Sequence, residues 1–131
     1  MKKILFIEDE SALQRAATQV FAEEGFQVFS ALDGELGLAL AKRERPDIIL
    51  LDLVIPKIDG FQVLSEIRQD PAIKNIPVII LSNLEGSADV ERALELGATT
   101  YLVKTNYRLG EVVEKIKHIL QNNHLNLNCK E

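Results

Sequence analysis

The chain has 131 residues, 47% apolar and 27% charged, with no tryptophan and a formal net charge of −5. That size suits a single domain with its own, mostly aliphatic core, and the acidic balance argues against nonspecific binding to nucleic acid or an anionic membrane. The apolar run at residues 4–7 is too short for a signal peptide and no run approaches a membrane span. The single cysteine, Cys129, can form no internal disulfide, so a cytoplasmic protein with an incidental exposed thiol is expected.

Residues 3–8 (KILFIE) open the chain as a strand. Residues 11–25 carry Leu13, Ala16, Ala17, Val20 and Phe21 at helical spacing and stop at Gly25. A short second strand follows at 26–30, then a helix over 33–46 that Pro46 ends. Residues 47–52 (DIILLD) form a strand apolar on both faces, with Asp52 at its end. After a turn at 56–60, residues 61–70 place Phe61, Leu64 and Ile67 on one helical face, with Pro71 beyond.

Residues 76–82 (IPVIILS) make the fourth strand. Residues 87–97 make the fourth helix, with Val90, Ala93 and Leu94 as its core stripe and Gly97 as its stop. Residues 99–104 (TTYLVK) make the fifth strand. The last helix, about 107–121, aligns Leu109, Val112, Val113, Ile116 and Leu120. The tail, 122–131, has no period and is expected to fray. The predicted organisation is one domain over 1–121 and a short tail.

Strict strand–helix alternation, five times over, predicts an α/β domain with a parallel sheet and helices on both faces. Right-handed crossovers make 2-1-3-4-5 one of the two common strand orders for such a doubly wound sheet. Ligands then bind outside the carboxyl ends of the strands, near the reversal of strand order. Strand one ends in Glu8, Asp9 and Glu10, strand three in Asp52, strand four in Ser82 and strand five in Lys104.

Alone, residues 8–10 read as solvated acids with Ser11 as a helix cap, Ser82 as a cap or turn residue and Lys104 as a surface charge. Their coincidence at neighbouring strand ends points to a site. Clustered carboxylates need a partner, and an all-oxygen set without His or Cys favours Mg²⁺ or Mn²⁺. Lys104 is placed to pair with Asp52 at rest and with a phosphoryl oxygen afterwards, Ser82 to donate to the same group. The set describes phosphoryl transfer.

Taken together, these motifs resemble the receiver domain of two-component response regulators over residues 2 to about 121. ILFIEDE is similar to the family's acidic opening strand, PDIILLDLVIPKIDGFQVL to its phosphoacceptor strand and loop, with Asp52, Pro56, Asp59 and Gly60 in place. IPVIILSN carries the Ser/Thr position at Ser82, and GATTYLVK carries Tyr101 and Lys104. The resemblance implies a flavodoxin-like fold of the CheY type. It implies that Asp52 takes a phosphoryl group from a phosphohistidine of a sensor kinase or phosphotransfer protein, catalysing its own phosphorylation and dephosphorylation. Mg²⁺ is then held by Asp9, Asp52 and the backbone carbonyl of Val54, with Glu8 nearby or acting through water. Ser82 and Lys104 bind the phosphoryl oxygens, and Tyr101 rotates inward as the face of helix 4, strand 5 and helix 5 is remodelled for a protein target.

The pattern departs from the family at Lys104-Thr105, where proline usually follows the lysine in a cis bond, so a trans bond or a strained cis one is expected. Glu8 stands for the commoner Asp. Val54 and Leu84 are both apolar beside the site, which implies slow loss of the phosphoryl group. Thr99-Thr100 lacks the acid that helps DNA-binding relatives pair, which favours a monomer. About ten residues follow the last helix, too few for a DNA-binding domain, and their composition leans to a stand-alone receiver over a fragment. The rival readings are a pseudo-receiver docking module that is never phosphorylated, and a metal-dependent phosphatase. The latter lacks a second acid two residues after Asp52, where Val54 stands.

Overall fold

The computed structural model describes residues 1–129, and side chains through residue 122. In chain order the elements are β1 (Lys3–Ile7), α1 (Ser11–Glu23), β2 (Gln27–Ala31), α2 (Gly34–Glu44), β3 (Ile48–Leu51) and α3 (Gly60–Gln69). There follow β4 (Val78–Ser82), α4 (Ser87–Glu95), β5 (Thr100–Val103), a single 3-10 turn at Lys104–Asn106, and α5 (Leu109–Cys129). All strand pairs are parallel and the order is β2-β1-β3-β4-β5, as predicted.

Strand periodicity divides the core in two. Leu5, Ile7, Ile49, Leu51 and Ile80 face one side, where they meet Leu38 and Ala41 of α2, Phe61, Leu64 and Ile67 of α3, and Ala93 of α4. Ile4, Phe6, Ile48, Leu50, Ile79 and Leu81 face the other, against Ala17 and Phe21 of α1 and Val112, Val113 and Ile116 of α5. β1, β3 and β4 are covered on both faces, so nearly all their side chains are buried and apolar. Charge is confined to the strand ends.

Several boundaries and faces differ from expectation. α2 stops at Glu44, two residues before Pro46, because a residue preceding proline disfavours helix; Arg45 takes the left-handed region with φ 47°. α4 buries Ala93 alone; Leu94, expected in its stripe, is exposed because the helix lies on its neighbours by a narrow edge. Ala16 of α1 is likewise exposed, while Gln14 is buried. Ser11 begins α1 rather than capping it, since Glu10 occupies the cap position. α5 runs on past residue 121 to Cys129, as no glycine or proline follows Leu120 to end it. The exposed-thiol reading of Cys129 lies outside the described side chains, and the fraying of residues 130–131 outside the described residues. Gly25 and Gly97 end their helices with φ of 91° and 106°.

Candidate functional site

The last rungs of the ladder set the site's frame. Glu8 N–H donates to Ala31 O and Asp52 N–H to Ile7 O, so the residues just past β1 and β3 are fixed to their neighbour strands. Glu8 is fully buried and Asp52 nearly so, while Asp9 between them projects into solvent. Gly60, at the start of α3, explains how the helix can close on β3. A Cβ there would lie 2.4 Å from Asp52 O, and Gly60 N–H donates to Leu53 O. Asp59 caps the same helix through Gln62 N–H.

From the opposite edge β5 delivers Lys104. Its Nζ lies 2.9 Å from Asp52 Oδ2 and 2.6 Å from Glu8 Oε1. The second contact is the shorter one, and the ammonium is the partner that Glu8 Oε1 has in its buried position. Glu8 Oε2 accepts from Glu10 N–H, and Asp52 Oδ1 from Val54 N–H at 3.2 Å. Burial pushes the Glu8 carboxyl above its ordinary range and Asp52 adds to this, against the pull of Lys104 and Glu10 N–H. Burial alone would lower Lys104, but its pairs with Glu8 and Asp52 outweigh that and hold it above its ordinary value.

Ser82 is fully buried, and its Oγ accepts from Leu84 N–H at 3.3 Å. The carbonyl of the same Leu84 accepts from the Tyr101 hydroxyl, so one loop residue touches both. Burial, with the charge of Asp89, raises the Tyr101 phenol and keeps its hydroxyl a donor. The Lys104-Thr105 bond is trans, as are all peptide bonds among the described residues.

Glu8, Asp9, Asp52, Ser82 and Lys104 thus line one open cavity of about 340 Å³, with Val54, Asn83 and Leu84 on its wall. Carboxylate oxygens of Glu8, Asp9 and Asp52 lie within 4.8 Å of one another. Three carboxylates face one ammonium here, and the all-oxygen donor set fits a hard divalent cation. The ion pair of Lys104 with Glu8 was not expected from the sequence. Gln14 was also missed, because a glutamine on an otherwise apolar helix face reads as an interruption.

The family described as the response regulator receiver domain matches residues 4–117. A probable transcriptional regulator, ycf27, of Porphyridium aerugineum is 36% identical over 130 residues, covering 95% of this chain and 53% of that protein. Response regulator PleD of Caulobacter vibrioides is 39% identical over 102 residues, covering 78% of this chain and 22% of its own. The chain thus spans about half the length, or less, of these curated relatives. Among solved structures, a Francisella response regulator 1452 receiver domain superposes with a TM-score of 0.85 at 27% identity, covering 93% of this chain and 98% of its own. A CheY-like receiver domain protein from Methanospirillum hungatei shares the fold with a TM-score of 0.90 at 24% identity, covering 96% and 98%.

Proposed function

The chain belongs to the family of response regulator receiver domains, and on that premise we propose that Asp52 accepts a phosphoryl group from a phosphohistidine on a sensor kinase or phosphotransfer protein. The observation that carries this reading is Lys104, drawn from the far edge of the sheet to within 2.9 Å of Asp52 and 2.6 Å of Glu8. A partly buried cation shared by two acids is a charge that can be handed to an incoming anion.

In the transfer, a carboxylate oxygen of Asp52 bonds to phosphorus, the phosphorus–nitrogen bond of the donor breaks, and its electron pair leaves with the imidazole. Asp52 is fixed for this attack by the ladder bond from its own N–H and by Val54 N–H on Oδ1. Glu8, Asp9, Asp52 and the backbone carbonyl of Val54 would hold Mg²⁺ (or Mn²⁺), which when bound supplies positive charge beside the moving group. Lys104 exchanges a carboxylate of Asp52 for a phosphoryl oxygen, and Ser82 turns its hydroxyl toward another. Ser82 Oγ then releases Leu84 N–H. Because Leu84 O also holds Tyr101, the change reaches β5 and the face it forms with α4 and α5. We assign that face to a downstream protein partner, read by a monomeric domain.

Intact mass after treatment with acetyl phosphate and Mg²⁺ tests the assignment. Wild type is expected to gain one phosphoryl group and Asp52→Ala none; a gain that survives the substitution would sink it, and no gain in wild type would favour a non-phosphorylated docking module. Val54 is 60% exposed at the rim and Leu84 apolar beside it, offering nothing to orient an attacking water. The phosphorylated form is therefore expected to last minutes or longer in Mg²⁺, and loss within seconds would contradict that.

A further inference from the structure

Gln14 sits on the first turns of α1 with only 7% of its surface exposed, an uncommon place for a carboxamide. Its Nε2 donates to three backbone carbonyls, Ala31 O at 2.7 Å, Glu8 O at 3.0 Å and Phe6 O at 3.3 Å. Two N–H groups thus serve three acceptors drawn from the carboxyl ends of β1 and β2 and the residue that follows β1. Ala31 O also takes Glu8 N–H, the last rung between those strands. Beyond that rung the chain leaves the sheet, and the acids begin.

Two side-chain hydrogen bonds tie the loop. Glu8 Oε2 accepts from Glu10 N–H inside the loop, and Gln14 grips Glu8 O from the helix behind it. Asp9 is exposed, so the direction of its carboxylate follows from the backbone on either side. We propose that Gln14 is a positioning residue of the cation site: its buried amide pins the Glu8 backbone so that Glu8 and Asp9 meet Asp52 around one ion. This rests on reading the three carboxylates as a Mg²⁺ site. Gln14 touches no ion itself; it acts through a carbonyl, as outer partners of metal ligands do.

The test is calorimetric titration of Mg²⁺ into unphosphorylated wild type, Asp9→Asn, Gln14→Met and Gln14→Asn, at a temperature where circular dichroism shows each folded. Gln14→Met keeps the length and donates nothing; Gln14→Asn keeps the donors on a shorter stem. The Mg²⁺ dissociation constant is expected to rise about tenfold in Gln14→Met, and less in Gln14→Asn. A lowered melting temperature with a wild-type constant would make Gln14 merely structural and overturn the inference. Should Gln14→Met fail to fold, an unchanged constant in Gln14→Asn overturns it equally. Wild type that binds no Mg²⁺, or binding that Asp9→Asn leaves intact, would overturn the reading of the site and this inference with it, a distinct failure.

Discussion

Glu8 carries the electrostatic tension of the site. It is fully buried, raised above its ordinary value of 4.5 chiefly by that burial, and only partly relieved by Lys104. An acid raised in the fold keeps its proton better folded than unfolded. Its contribution to stability is therefore whole below the ordinary value and is lost as pH climbs through the raised one. Glu8→Gln keeps the shape and removes the charge, so without metal it should be more stable than wild type near neutral pH. That margin should shrink as the solution is made acid. Urea unfolding of both proteins from acid to neutral pH measures it, and a margin that ignores pH would contradict burial as the cause. Lys57 shows strain of another kind. It has φ 70° inside a turn closed by Ile58 N–H to Pro56 O, beside the start of α2, a region where a non-glycine residue is rare.

At the scale of elements, α3 and β3 are locked where the site needs them to be. Gly60 lets the helix start against the backbone of Asp52 and Leu53, and both atoms a Cβ would strike are main chain. Gly60→Ala should cost about 1–3 kcal/mol, as overpacking does, and displace Asp52 as it does so. Chemical denaturation gives the first and the rate of phosphorylation by acetyl phosphate the second; stability and rate both unchanged would mean the junction is slack. α4 is joined more lightly. Apart from Ala93, it leans on α3 through Arg92 over the Phe61 ring at 4.1 Å, while Arg68 Nε donates to Gly97 O just past its end. These differences explain what the sequence made legible. β1, β3 and β4 announce themselves because both faces are covered, leaving no polar residue until the strand ends. Asp52 was conspicuous for that reason. α4 could not be oriented by period, since one buried alanine demands no stripe and Leu94 had no core to enter. Gln14 was illegible because its acceptors, Phe6 O, Glu8 O and Ala31 O, are backbone groups that come together only in the fold. The Glu8–Lys104 pair was missed likewise, since it joins the first strand to the last across two others.

At the scale of the molecule, the receiver is a sheet with a row of chemistry along one edge. Glu8, Asp52, Ser82 and Lys104 stand at or one residue past the ends of four adjacent strands, so their spacing follows the spacing of the sheet. The same sheet is a party wall. Ile4 and Phe6 belong to one room, Leu5 and Ile7 to the other, and among the described residues the cluster holding α1 and α5 shares no buried side chain with that holding α2, α3 and α4. Trimming Phe21 to Leu on one side and Ile67 to Val on the other should each cost on the order of 1 kcal/mol. The double variant should show the sum to within about 0.5 kcal/mol; a larger discrepancy in a denaturation cycle would mean the wall transmits strain. If it holds, a lineage can refurnish either room for new neighbours without disturbing the other. The row of strand ends remains their common threshold, and it alone must stay as it is.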